Sequence, residues 1–340
     1  MSGTALIFGI SGQDGSLLAR HLLSQGWTVH GTSRDAELNE FVNLTRLGIR
    51  NSVTAHSANP IDFRSVIQVI ERTAPDHVYN LGGQSSVGLS FEQPIETYES
   101  IVVATLNILE SIRFLKRSIR FYNAASSECF GDTKVAADET TPFHPRSPYA
   151  VAKSAAFWAV ANYRDSYGLF ATSGILFNHE SPLRPGRFVT QKVIRTAVDI
   201  AKKRRTEPLV LGNLDVARDW GWAEEYVEAM HLILRHDDPQ DFVVATGHSD
   251  PLKAFVAEAF AAFGLDWQAH VISSGEFMRP SDISVSTGCP DRAYGILGWK
   301  AQMRMPEVVR RLATAAVSPP TSQEEWQRTS RGAGRLALAT

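Results

Sequence analysis

Short apolar runs alternate with amphipathic stretches through the first half of the chain. Ala5-Leu6-Ile7-Phe8 is a run of the kind a buried parallel strand produces, and residues 16–23 carry a helical pattern. The strand signal returns at 28–32, 77–81, 121–124 and 169–177, and the helix signal at 65–71, 101–109 and 149–167. Strands alternating with helices predict βαβ units: an α/β fold with a doubly wound parallel sheet and helices on both faces. Residues 178–188 are polar and broken by Pro182 and Pro185, so they read as a loop. A helix containing Lys192 follows, and the basic run Lys202-Lys203-Arg204-Arg205 reads as its solvated end, without interleaved aromatics. From about Leu209 the alternation is less regular, as expected of a smaller lobe. The expected boundaries are 1–177 for the first domain, 178–316 mainly for the lobe and 317–340 for a flexible tail. Segments within about 209–245 are candidates to return to the first domain.

Composition narrows the class. The 340 residues can bury a large core, and 44% apolar with 21% charged residues are ordinary globular values. A formal net charge of −2 gives no global pull toward nucleic acid or an anionic membrane. Two cysteines, Cys129 and Cys289, are too few for a disulfide framework or a Cys-ligated metal site, and no metal is expected. The first residues lack the pattern of a signal peptide, and no run approaches a membrane span, so the expected location is cytoplasmic.

Candidate chemistry starts where the first strand meets the first helix. Gly9-Ile10-Ser11-Gly12-Gln13-Asp14-Gly15 is a glycine turn in the context a phosphate-binding fingerprint requires. The glycines permit a tight turn, and a pyrophosphate can sit on the helix N-terminus. The spacing is GxxGxxG and resembles the extended members of the short-chain dehydrogenase/reductase superfamily, which implies a Rossmann-type fold. An NAD site places a carboxylate about 20 residues past the glycines. Here Ser33 is followed by Arg34, which suits a 2′-phosphate and favours NADP. After Leu81, the small residues Gly82 and Gly83 let a dinucleotide pass close to the backbone, and Ser85 and Ser86 are well placed for a sugar. Tyr149 and Lys153 lie four apart on one helix face, where an ammonium favours the phenolate of its neighbour. Ser126, at a strand end, can hydrogen-bond the same substrate alcohol.

Several further stretches resemble GDP-mannose 4,6-dehydratases. They are Tyr79-Asn80-Leu81-Gly82-Gly83-Gln84-Ser85, Ser126-Ser127-Glu128, Asn178-His179-Glu180-Ser181-Pro182, Gly212-Asn213-Leu214-Asp215 with Arg218-Asp219-Trp220-Gly221, and Arg279-Pro280. They run in order through most of residues 4–315. The resemblance implies conversion of a GDP-hexose, GDP-mannose foremost, to a GDP-4-keto-6-deoxy sugar through bound NADP, a hydro-lyase reaction. It implies Ser126, Glu128, Tyr149 and Lys153 as catalytic residues and Asn59 and His179 as further cofactor contacts. Asn178, Lys192, Arg218, Arg279 and Asp282 would surround the nucleotide sugar with Ser85, Ser86 and Glu128. Ser126 stands where the family commonly has Thr, Phe130 for Tyr, Gly82-Gly83 for Ala-Ala, Asn59 for Asp and Asp282 for Glu. Residues 35–40 are acidic where the family has a basic stretch that helps tetramers share cofactor contacts; a homo-oligomer, dimer or tetramer, is expected. The competing readings are an NADP-dependent 4-ketoreductase or epimerase, which needs no carboxylate at 128, and a catalytically silent NADP-binding regulatory protein.

Overall fold

The computed structural model describes residues 2–277 and 280–318. Its main sheet holds seven parallel strands: β1 (Thr4–Phe8), β2 (Thr28–Ser33), β3 (Val53–Ser57), β4 (His77–Asn80), β5 (Arg120–Ser126), β6 (Ala171–Leu176) and β10 (Phe242–Val244). The spatial order is β3-β2-β1-β4-β5-β6-β10. The chain reverses direction across the sheet between β1 and β4, where Ile7 pairs with Tyr79 and Phe8 with Asn80. Ligands of open α/β sheets bind at such a switch point, outside the carboxyl ends of the strands.

Both faces of the sheet are covered. Helices Gln13–Ser24 and Ala223–Arg235 bury Leu18, Leu22, Met230 and Ile233 on one face. Helices Phe63–Thr73 and Ala104–Leu115 bury Val66, Ile70, Ile108 and Ile112 on the other. Each such side chain contributes roughly 1.5–3 kcal/mol. Helix ends follow local chemistry. Asp62 caps Phe63–Thr73 by accepting from the Arg64 N–H at 3.0 Å. The helix Pro148–Tyr167 starts with Ser147 accepting from the Ala150 N–H at 3.1 Å and a proline in the first turn, and ends at Gly168 with φ +67°.

Residues 178–188 are more ordered than their polar, proline-broken sequence predicts. They open with β7 (Asn178–Glu180), which pairs in parallel with β9 (Ala217–Trp222). A three-residue strand carries too little periodicity to be recognised, and its pairing partner lies far along the chain. β9 also pairs with β11 (Ser249–Pro251) and β13 (Val285–Ser286), and β8 (Leu209–Leu211) pairs with β12 (Val271–Ser273). Helices Val189–Ala201, Leu252–Ala261 and Met305–Val317 enclose a separate core around Trp220, Phe255, Phe260 and Val309. The basic run 202–205 lies beyond Ala201, the last residue of its helix. Most of the expected tail, residues 319–340, lies outside the described residues. Among the described residues no helix is long and apolar enough to cross a membrane.

Candidate active site

A cavity of about 660 Å3 lies at the carboxyl edge of the main sheet. The turn from β1 into helix Gln13–Ser24 forms its first wall. Gly9 has φ +87°, and a Cβ there would sit 2.8 Å from the backbone of Leu81 and Gly82. A Cβ on Gly15 would lie 2.2 Å from the Gly9 carbonyl oxygen. Both positions are therefore closed to any side chain, while around Gly12 the single close neighbour is the Gly9 oxygen at 3.3 Å. No side chain caps this helix, so the N–H groups of its first turn remain for an anion. Across the crevice, Gly82 has no neighbouring heavy atom closer than 3.8 Å to an added Cβ, which leaves the strand end open to a flat ligand.

The segment after β6 locks onto this turn. Asp14 Oδ2 pairs with His179 Nε2 at 3.0 Å, and His179 Nδ1 donates to the Phe177 carbonyl at 2.7 Å. Both ring nitrogens face acceptors, as an imidazolium requires. Burial opposes that charge, but the Asp14 carboxylate outweighs it and holds the imidazole above its usual pKa. Burial would likewise raise Asp14, yet His179 and its other partners bring it down to about 2. Ser181 Oγ donates to Gln13 Oε1 at 2.8 Å, and Arg184 donates to the His179 carbonyl at 2.9 Å. Tyr226 stacks on His179 with centroids 4.6 Å apart.

The Asp14–His179 pair contributes stability that is full between the ordinary carboxyl and imidazole values, about pH 4 to 6.5. It is lost as pH falls through about 2 and as pH rises through the raised His179 value. Asp14→Asn should lower stability by about 2 kcal/mol near pH 6, a loss limited because His179 can shed its proton. Thermal unfolding of both proteins from about pH 5 to 9 checks this. The gap in Tm should narrow on the alkaline side, and a constant gap would sink the ion-pair account.

β5 delivers Ser126 to the cavity, and its Oγ accepts from the Glu128 N–H at 3.3 Å. Glu128 sits half-buried on the single turn Ser127–Cys129. Tyr149 and Lys153 reach the same cavity from the first turns of helix Pro148–Tyr167, both buried. Lys153 Nζ donates to the Ala124 carbonyl at 2.7 Å and lies 5.9 Å from the Tyr149 ring centre. Burial lowers Lys153 to about 8, opposed by the Cys129 thiol and the Asp14 carboxylate. The Tyr149 phenol is raised rather than lowered: burial dominates, and a hydrogen bond with Ser126 pulls it only partly back. The helical spacing does not reveal this, because burial is set by the surrounding fold.

The lobe completes the enclosure. Asn178, Lys192, Arg218 and Asp282 all line the cavity, as do Ser11, Gln13, Gly83, Ser85 and Ser86. Arg218 donates to the Ile283 carbonyl at 2.8 Å and to Asp282 Oδ1 at 3.2 Å. Ser86 is engaged as a helix cap, accepting from the Leu89 N–H at 3.3 Å. Arg34 and Asn59 stand apart from this lining. Arg34 is exposed at the end of β2, and Asn59 follows β3 with its amide oxygen accepting from the Ile61 N–H at 3.4 Å. Arg279 lies outside the described residues. The cavity also gathers Glu180, Arg184 and Arg187, which sequence reasoning had not singled out. Glu180 is buried, accepts from Thr190 Oγ1 at 2.6 Å and pairs with Arg184 at 3.3 Å. The four-residue spacing of Glu180, in the Asn-His-Glu-Ser-Pro stretch, and Arg184, just past it, was the available signal.

The family model described as GDP-mannose 4,6 dehydratase matches residues 6–312. A relative from Arabidopsis thaliana named GDP-mannose 4,6 dehydratase 2 is 42% identical over 316 residues, covering 90% of this chain and 84% of the relative. The chain belongs to the GDP-mannose 4,6-dehydratase family. The Homo sapiens GDP-mannose 4,6 dehydratase is 38% identical, with 92% of this chain and 91% of the human one aligned. Among solved structures, the fold of this family member is similar to Thermus thermophilus UDP-glucose 4-epimerase in complex with NAD. That match has TM-score 0.82 and 24% identity, covering 93% of this chain and 99% of the other. RMD from Pseudomonas aeruginosa, complexed with NADPH, matches at TM-score 0.76 and 20% identity, over 94% and 98% of the two chains.

Proposed function

We infer that this family member is a nucleotide-sugar 4,6-dehydratase, a hydro-lyase that converts GDP-mannose to GDP-4-keto-6-deoxymannose with NADP as resident cofactor. The observation that carries the reading is Glu128 lining one cavity with Ser126, Tyr149 and Lys153, between the glycine turn and the lobe. A reductase would use the hydroxyl, phenol and ammonium but has no work for that carboxylate.

The residues present fit a dinucleotide, because the turn at Gly9 and Gly15 admits no side chain and ends in an uncapped helix. Ser11, Gly12, Gln13 and Gly15 would hold its pyrophosphate, Leu81, Gly82 and Gly83 its flat face, and Arg34 its 2′-phosphate. Asn59 would accept from the adenine amino group, and Lys153 would hold the nicotinamide ribose. The bound cofactor would supply a hydride acceptor for C-4 and a hydride donor for C-6, ending as it began. Burial holds the Tyr149 phenol protonated in the free protein. With the positive charge of the oxidised cofactor added to that of Lys153, Tyr149 Oη would take the 4-hydroxyl proton, with Ser126 Oγ orienting that hydroxyl. The resulting ketone acidifies the C-5 proton, which Glu128 removes. The C-6–oxygen bond then breaks, and Glu128 passes that proton to the departing hydroxyl, so that water leaves. As C-6 gains hydride, C-5 takes a proton from solvent and Tyr149 releases the one it took from the 4-hydroxyl. Asn178, Lys192, Arg218 and Arg279 would neutralise and orient the diphosphate, and Asp282 would face the sugar.

Asp35 accepts from the N–H groups of Glu37 and Leu38 at 2.9 and 3.0 Å, so its carboxylate serves its own turn and leaves Arg34 available for a phosphate. Arg34→Ala should weaken NADP binding about tenfold and leave NAD binding unchanged. Equal loss for both cofactors in a binding titration would reject the 2′-phosphate assignment. We also propose a homo-oligomer. Leu106, Phe114, Val151 and Trp158 on helices Ala104–Leu115 and Pro148–Tyr167 are exposed large apolar side chains that a second copy would cover. The deciding assay incubates purified protein with GDP-mannose and follows the sugar nucleotide by mass spectrometry. Loss of one water without net NADPH formation is expected. Reduction of a 4-keto sugar at the expense of NADPH, with GDP-mannose untouched, would establish the reductase instead.

A further inference from the structure

Most charge around the cavity is already balanced. His179 is paired with Asp14, Arg184 with Glu180 and Arg218 with Asp282. Two cations that line the cavity differ: among the described residues, Arg187 and Lys192 form neither an ion pair nor a side-chain hydrogen bond. They are five residues apart, Arg187 in the turn before helix Val189–Ala201 and Lys192 in its first turns. Arg187 is exposed but directed by its surroundings. Its guanidinium lies 5.4 Å from the centre of the Phe188 ring, against which Arg184 stacks at 4.0 Å. Arg184 is in turn fixed by Glu180 and the His179 carbonyl. The aromatic platform thus holds one guanidinium committed to the protein and one left for a ligand. Val189 and Thr190, in the first turn of a helix that no side chain caps, line the same wall.

A nucleoside diphosphate ester carries two full negative charges, and two uncommitted cations on one wall match them. We propose that Arg187 is a substrate-binding residue that grips the diphosphate of the nucleotide sugar together with Lys192, and that it sets the preference for diphosphate over monophosphate nucleotides. This rests on the nucleotide-sugar reading above and extends it to a residue outside the motifs that suggested that reading. A guanidinium offers two phosphate oxygens parallel N–H donors in a rigid planar fork, whereas an ammonium acts as a point charge without that geometry.

The test measures GDP and GMP binding to the NADP-loaded protein by calorimetry, with steady-state kinetics on GDP-mannose. Arg187→Ala should weaken GDP about tenfold while GMP changes far less. KM for GDP-mannose should rise with kcat held, and the affinity for NADP should not move. Arg187→Lys should recover part of the loss, since charge survives without the planar fork. Unchanged GDP affinity overturns the proposal, and so does a fall in NADP affinity with GDP unaffected, which would put Arg187 on the cofactor. If the unchanged protein prefers UDP or dTDP, the GDP assignment fails while Arg187 is tested against that diphosphate and its monophosphate. Absence of any preference for a diphosphate over its monophosphate in the unchanged protein overturns the proposal by itself.

Discussion

Glu128→Gln should bind NADP and GDP-mannose as the unchanged protein does, yet release water from the sugar about 10²–10⁴ times more slowly. The substitution keeps the shape of the side chain on the Ser127–Cys129 turn, and the Ser126 hydroxyl still accepts from the backbone N–H of residue 128. What is lost is a group that can take the C-5 proton and hand one to the departing hydroxyl. The proposed mechanism assigns oxidation at C-4 to Ser126, Tyr149 and Lys153, so that half of the reaction should persist. Mixing the variant with GDP-mannose should therefore raise the reduced-nicotinamide absorbance without loss of water from the sugar. Tyr149→Phe should do the opposite and produce no reduced nicotinamide. Solvent deuterium gives an independent reading, because C-5 exchange should vanish with the carboxylate. Water loss at the unchanged rate in Glu128→Gln would remove this residue from the mechanism.

The four residues proposed for catalysis could be proposed together because they lie close in sequence, and they line one cavity. Ser126 and Glu128 follow one strand, and Tyr149 and Lys153 start the next long helix; helical period placed the Tyr–Lys pair, while Glu128 was singled out only by the resemblance of Ser126-Ser127-Glu128 to the family. The clamp on the glycine turn was not legible. Asp14 and His179 are 165 residues apart, and neither residue type announces an ion pair. Only the pairing with Asp14 that folding creates keeps the imidazole charged, against the burial that opposes it. The buried group His77, Tyr79 and His231 was equally hidden in the sequence; there the phenol lies 3.3 Å from both imidazoles, and burial lowers both imidazoles so that they stay neutral. β7 was invisible as a strand because three residues have no useful period, and its ladder partner β9 lies far along the chain. That ladder matters for the site, since it joins the segment carrying Asn178 and His179 to the strand carrying Arg218. Local signals and the family resemblance therefore supplied the candidate chemistry, and long-range pairing supplied its electrostatic setting.

Gly15→Ala should abolish cofactor binding more completely than removal of any single polar contact. The added methyl would lie 2.2 Å from the Gly9 carbonyl oxygen and 2.8 Å from Ile10 Cα, both backbone atoms that cannot swing aside. Relief requires the turn to open, and the turn is fixed on both sides. The Gly12 N–H donates to Gly9 O at 3.1 Å, and Gly9 packs against Leu81 and Gly82 at the switch point of the sheet. Overpacking of this kind costs about 1–3 kcal/mol of stability, which a fold of this size tolerates. The dinucleotide tolerates it less, because moving the first turn of helix Gln13–Ser24 by even 1 Å, roughly, disperses N–H groups that must converge on one pyrophosphate. The variant should therefore be folded, retain its circular dichroism spectrum and show at least about a hundredfold weaker NADP binding. Gly12→Ala is the control. Its methyl would meet only the Gly9 oxygen at 3.3 Å, so the turn should survive with a smaller change in affinity. If Gly15→Ala binds NADP normally, the glycine turn is not the cradle, and the dinucleotide must enter the cavity from the lobe side.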